Sequence, residues 1–113
     1  MKLGVVGGRD FNDTKRMDEV LSEWKPDVVV SGGAKGADIM SEKWAVRNGI
    51  PIEIYLPDFK AHSTSWKAYH ARNRQIVNNS DELLAFWDGK STGTKNSIDY
   101  AVSQGKKVTI ERY

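Results

Sequence analysis

Cysteine is missing from all 113 residues, which removes disulfides and thiolate metal sites and points to a reducing cytoplasm. An excess of charge is missing too. Seventeen Lys and Arg against fifteen Asp and Glu leave a formal net charge of +2. No basic stripe of the kind that duplex DNA demands runs through the chain, so the charge balance speaks against nucleic acid as a partner. The apolar run after Met1-Lys2, Leu3-Gly4-Val5-Val6, is far too short for a signal peptide or a membrane span. Repeats, low-complexity tracts and linkers are absent, and the length leaves room for one core, so residues 1–113 read as a single domain. Four Trp and four Tyr supply bulky surface to stabilise it without covalent staples.

What is present is an alternation of short β-rich runs with helical-period segments, the pattern of βαβ units. Strands are expected at Leu3–Val6, Val28–Val30, Ile52–Leu56, Leu83–Trp87 and Val108–Ile110. Four helices fall between them. The first carries Met17, Val20, Leu21 and Trp24 on one face, with Asn12, Asp13 or Thr14 as its cap. The second carries Ala37, Met40, Trp44 and Ala45 and stops at Asn48-Gly49. The third starts near Ser65 with Trp66, Tyr69, Ile76 and Val77 on its apolar stripe; the fourth carries Ile98, Ala101 and Val102 and stops at Gly105. Strands 1, 2 and 4 are continuous apolar runs, as for strands covered on both faces, whereas strands 3 and 5 alternate as edges do. The expected fold is therefore a three-layer Rossmann-like α/β domain with a five-stranded parallel sheet, order 3-2-1-4-5.

In such a sheet ligands bind beyond the carboxyl ends of the strands, where chain order reverses. Here that point lies between strands 1 and 4. Strand 1 is followed by Gly7-Gly8-Arg9-Asp10, in which glycine backbone approaches a ligand closely, Arg9 forks onto a phosphate and Asp10 orients Arg9 or accepts from a ribose hydroxyl. Strand 2 is followed by Ser31-Gly32-Gly33-Ala34-Lys35-Gly36-Ala37-Asp38. There Ser31, Gly32, Gly33, Ala34 and Gly36 make an anion-binding nest at a helix N-terminus, with Asp38 facing either the ligand or the helix dipole. After strand 4 comes Asp88-Gly89-Lys90-Ser91-Thr92-Gly93-Thr94, where Asp88, Ser91, Thr92, Gly93 and Thr94 gather hydroxyls and amides for a phosphate, without the spacing of a Walker A loop.

The third helix adds Tyr69-His70-Ala71-Arg72-Asn73-Arg74. Asn73 shares the stripe of Trp66, Tyr69, His70 and Val77, so its amide needs a partner, backbone or ligand. Either Arg72 or Arg74 can instead belong to the solvated face. His62 and His70 have no further His or Cys at ligand spacing, so no metal is expected.

These motifs resemble the SLOG superfamily, the Rossmann-like group that includes the LOG phosphoribohydrolases and the DprA/SMF DNA-processing proteins. Gly7-Gly8-Arg9-Asp10-Phe11, the run Ser31 to Asp38, and Arg72-Asn73-Arg74 look most like its small stand-alone YspA-like branch, and the likeness spans nearly the whole chain. The resemblance implies binding of a nucleotide-derived small molecule, such as a relative of NAD or ADP-ribose, with no cofactor besides. LOG enzymes cleave the N-glycosidic bond of nucleoside monophosphates with an Arg before strand 4 and a Glu in a P-G-G-x-G-T-x-x-E motif after it. By this likeness Arg72 is the catalytic arginine and Gly93-Thr94 the G-T, but Ser97 stands at the Glu position and Asp88 to Thr92 replace the P-G-G. A serine neither stabilises an oxocarbenium ion nor activates water as a carboxylate does.

The leading expectation is thus a binding module, a sensor or a sequestering protein. A phosphoribohydrolase with a carboxylate relocated to Asp88, Asp38 or Asp10 is the alternative. Single-strand DNA handling on His62, Trp66 and Tyr69 is the third. LOG relatives are homodimers, so the likeness also implies a homodimer or higher homo-oligomer.

Overall fold

The computed structural model describes residues 1–113. In chain order the elements are β1 (Lys2–Gly7), α1 (Thr14–Trp24), β2 (Val28–Ser31), α2 (Ala37–Arg47), β3 (Ile52–Ile54), α3 (Ser65–Asn78), β4 (Glu82–Trp87), α4 (Thr92–Ser103) and β5 (Lys107–Arg112). The five strands form one parallel sheet in the order β3-β2-β1-β4-β5, as the strand textures predict. Val5 pairs with Leu84 and Gly4 with Val30, which places the three continuous apolar strands at the centre.

Alternation along those strands divides the core in two. Leu3, Val5, Val29, Leu84 and Phe86 project to one face and pack with Met17, Val20 and Leu21 of α1 and Ala37, Trp44 and Ala45 of α2. Val6, Val30, Leu83 and Ala85 project to the other, against Ile76 and Val77 of α3 and Ile98 and Ala101 of α4. Asp13 caps α1, its carboxylate accepting from the Arg16 amide at 3.0 Å.

Several expected boundaries shift. β3 ends at Ile54, although the Tyr55 amide still donates to the Ser31 carbonyl at 2.9 Å. Beyond it Leu56 is exposed, past the end of the edge strand. β5 is longer than Val108–Ile110, pairing with β4 from Lys107 to Arg112. Two expected stripe residues are exposed, Trp66 by 58% and Val102 by 63%. α4 instead buries Thr94, Ser97, Ile98 and Ala101, a stripe whose first two members are small hydroxyls. Trp66 sits in the first turn of α3, at the mouth of the crevice that the sheet edge forms with α3 and α4.

Candidate ligand-binding site

A cavity of 480 Å³ opens beyond the carboxyl ends of β1 and β4. Its size lies within the range of about 300–1,000 Å³ usual for small-molecule sites. Of the residues expected there, Gly7, Gly8, Arg9, Asp10, Ala34, Asp38, Arg72, Asn73, Ser91, Thr92, Gly93 and Thr94 line it. Ser31, Gly32, Gly33, Gly36 and Asp88 do not, and each has a structural task or position instead.

The buried Ser31 hydroxyl donates to Glu42 at 2.7 Å. Gly33 adopts a φ of +69° and turns beside Leu56. The Asp88 carboxylate accepts from the amides of Lys90 and Ser91, both at 2.8 Å, which folds the loop before α4 and holds its pKa below the ordinary value. Gly36, with φ +89°, presses against the carbonyls of Gly8 and Arg9. That contact lets the Ala37 amide donate to the Gly8 carbonyl at 3.3 Å and locks the first two loops together. A Cβ on Gly32 would run into the Arg72 guanidinium and would stand 2.9 Å from the Asp38 carboxylate.

Arg72 is the centre of the arrangement. It is the buried arginine of the pair that sequence left open, with Arg74 exposed. Its Nη1 donates to the Gly32 carbonyl at 2.6 Å and its Nε to the Asn73 side chain at 3.1 Å, while Nη2 has no partner in the protein. Only 7% of Arg72 is exposed, yet neither it nor Arg9 forms an ion pair with any carboxylate of the chain. Burial draws the Arg72 pKa below its ordinary value; Asp38 opposes that shift and Arg9 adds to it. A buried guanidinium that no carboxylate meets at ion-pair distance is costly unless something anionic reaches it. Asn73 turns its amide to Asn96 at 3.3 Å, which supplies the partner its stripe position calls for.

Asp38 is buried beside Arg72. Burial raises its pKa to about 6, reinforced by Glu42 and opposed by the Ala34 amide and by Arg72. The Ala34 amide donates to its carboxylate at 3.3 Å. The start of α2 is largely occupied from within the chain, the Ala37 and Ile39 amides meeting the carbonyls of Gly8 and Ala34 and only that of Asp38 left over. The start of α4 is not: Ser91 caps the Thr94 amide, and the amides of Thr92 and Gly93 have no acceptor in the chain. A Cβ on Gly93 would meet nothing within 4 Å.

The third helix supplies more of the wall than its Arg-Asn pair. Val6, Trp66, Tyr69, His70, Ile76 and Ser97 also line the cavity. Positions 66, 69, 70, 73 and 76 form one helical face, so the periodicity that suggested a core stripe marked a cavity wall as well. Arg9 and Arg72 both stand over the Tyr69 ring, at 5.3 and 5.7 Å from its centroid. The first loop is held by Phe11, buried against Phe86, and by the Tyr113 hydroxyl, which donates to Asp10 at 2.6 Å. No three His, Asp or Glu side chains gather as a metal-binding group, and no helix is long and apolar enough to cross a membrane.

Sheet order, switch point and cavity together define a Rossmann-like α/β domain with its crevice at the carboxyl edge. A model of the YspA, cpYpsA-related SLOG family (YAcAr) matches residues 1–62, and the chain belongs to that family. An uncharacterized protein of Archaeoglobus fulgidus is 31% identical over 120 residues, covering 96% of this chain and 78% of its own. The gene 61 protein of Mycobacterium phage D29 is 32% identical over 85 residues, covering 69% of this chain and 66% of its own. Among solved structures, DNA processing protein A from Streptococcus pneumoniae superposes with a TM-score of 0.81 at 20% identity, over 96% of this chain and 49% of that one. DNA processing protein A from Helicobacter pylori, described for its single-stranded DNA binding mode, gives 0.75 at 22% identity, over 97% of this chain and 64% of that one. At these identities the likeness shows the fold, and the chain spans about half of the pneumococcal protein.

Proposed function

We propose that this protein binds a phosphate-bearing, nucleotide-derived small molecule at the carboxyl edge of its sheet, as a sensor or a sequestering module. The observation that carries this is Arg72: nine-tenths buried, without a carboxylate partner, with Nη2 free and Arg9 close enough to disfavour its charge. Beside it the open N-terminus of α4 offers the Thr92 and Gly93 amides. Two guanidinium groups and unsatisfied helix amides are the chemistry that a phosphate satisfies.

Mass spectrometry of small molecules released from purified protein should find a phosphorylated nucleotide derivative. A thermal-shift panel of ADP-ribose, NAD, mononucleotides and cyclic nucleotides should find a stabiliser. Arg72→Ala should weaken that ligand at least about tenfold, the worth of one charged hydrogen bond. An empty extract together with a flat panel rejects the reading.

A second reading, N-glycosidic hydrolysis of a nucleoside 5′-monophosphate, is favoured by one observation. The Asp38 carboxyl lines the cavity beside Arg72 and is raised to about 6, a value suited to proton exchange near neutrality. It would supply the acid that Ser97 lacks. Free base and ribose 5-phosphate should then appear from a monophosphate and vanish in Asp38→Asn; no free base after long incubation with the common monophosphates rejects it.

A further inference from the structure

A second, shallower depression of 400 Å³ adjoins the main cavity across the α3–α4 seam. Trp66, His70 and Thr92 border both, and Lys95, Asn96 and Asp99 complete the outer one. The first turn of α4 therefore stands between the two spaces. Asn73 joins them as well, since its amide reaches from the inner wall to Asn96 on the outer rim.

The aromatic groups within reach are not equivalent. Tyr69 is already engaged, with Arg9 and Arg72 over its ring and Phe59 set edge-on at 5.3 Å. Trp66 has His70 edge-on at 5.2 Å and the Lys67 ammonium 6.0 Å from its ring centroid, and it is 58% exposed, an unusual state for the largest apolar side chain. Its indole N–H has no partner, whereas that of Trp87 donates to the Ser91 carbonyl. The inner cavity is meanwhile dominated by glycine, hydroxyl and charged groups, a lining suited to sugar and phosphate.

We infer that the outer depression is a second subsite for the same ligand, receiving a planar heteroaromatic base stacked on Trp66 while the phosphate lies at Arg72 and the start of α4. The inference rests on the phosphate-binding reading above. It makes Trp66 the residue that distinguishes nucleotides from simple phosphates. Asn96, with an amide that both donates and accepts, faces the edge of the base. A ligand bound this way crosses the seam at Thr92, with its sugar next to His70.

The test compares two probes by calorimetry on the full chain: inorganic pyrophosphate, which has no base, and ADP, which has one. Trp66→Ala should weaken ADP about tenfold, within the range found for loss of one base–aromatic stack, and leave pyrophosphate within about twofold. Trp66→Phe should restore most of the ADP affinity. Arg72→Ala should weaken both probes. Equal weakening of the two by Trp66→Ala, or no change in ADP, overturns the subsite and leaves the phosphate site standing. If neither probe binds the wild-type protein, the subsite falls, while the phosphate-binding reading is decided by the extract and the ligand panel. Because Trp66 is mostly exposed, its truncation leaves the fold intact, which the thermal transition of the variant verifies.

Discussion

The loops that lead into α2 and α4 are both rich in glycine and both end at a helix N-terminus on the same edge of the sheet. Before α2, the Gly8 carbonyl takes the Ala37 amide and the Asp38 carboxylate takes that of Ala34. Before α4, Asp88 and Ser91 fold the turn, and the amides of Thr92 and Gly93 are left open to the cavity. Glycine serves opposite ends in the two places. Gly36 allows backbone to press on backbone, while Gly93 keeps a helix end bare. A glycine-rich strand-to-helix loop is therefore an anion site only where no group of the chain has already taken its amides.

The largest expected effect comes from breaking the closed loop. Gly36 holds φ +89° with the Gly8 and Arg9 carbonyls against the place where a Cβ would stand. Gly36→Ala combines left-handed strain with a backbone clash and should cost about 2–4 kcal/mol by urea denaturation. A loss under about 1 kcal/mol would mean that the two loops are not locked to each other.

Asp38 tests the same region through protons. Its native pKa of about 6 lies above the ordinary 3.8, so the folded state holds the proton more tightly than the unfolded chain. The stability this contributes is fully present below about pH 4 and is lost as pH rises through 6. The whole loss is of order 3 kcal/mol, accruing at about 1.4 kcal/mol per pH unit between the two values and constant above pH 6. Asp38→Asn keeps an acceptor for the Ala34 amide and should stabilise the protein by about 1–3 kcal/mol at pH 7.5, with the gain shrinking toward zero below pH 4. On the proposed reading the ionised carboxylate would also compete with the phosphate for Arg72. Anion binding should therefore tighten as pH falls through 6 in the wild type and respond less in Asp38→Asn.

The sheet was legible because its signals are local and repeated. Val28-Val29-Val30 and Leu83 to Trp87 are apolar without interruption, and only strands buried on both faces tolerate that. The positions of the glycine loops were equally plain. Which loop stays open was not, because the contact that closes the first one joins Gly8 to Gly36 and Ala37 across the intervening α1 and β2. Nothing in the run Ser31 to Asp38 announces that its amides will be met by a carbonyl from the preceding loop. Trp66 was misplaced for a related reason. Helical period tells which residues share a face, not where the neighbouring layer ends, and the first turn of α3 meets the cavity mouth rather than the sheet.

The smallest effect on stability, and the sharpest on the comparison, belongs to the open loop. Gly93 has no positive φ, and a Cβ there has only empty space around it. Gly93→Ala should leave stability unchanged or raise it by up to about 1 kcal/mol, since alanine is the better helix former. The added methyl nevertheless stands beside the amides that the proposed phosphate would reach, so pyrophosphate affinity should fall by about threefold to tenfold, as one charge-assisted backbone contact is lengthened. A variant that gains stability and loses affinity separates the open loop from the closed one, where Gly36→Ala loses stability. If affinity also holds, the open amides of α4 are not where the anion lies, and Arg9 with Arg72 must carry it without them.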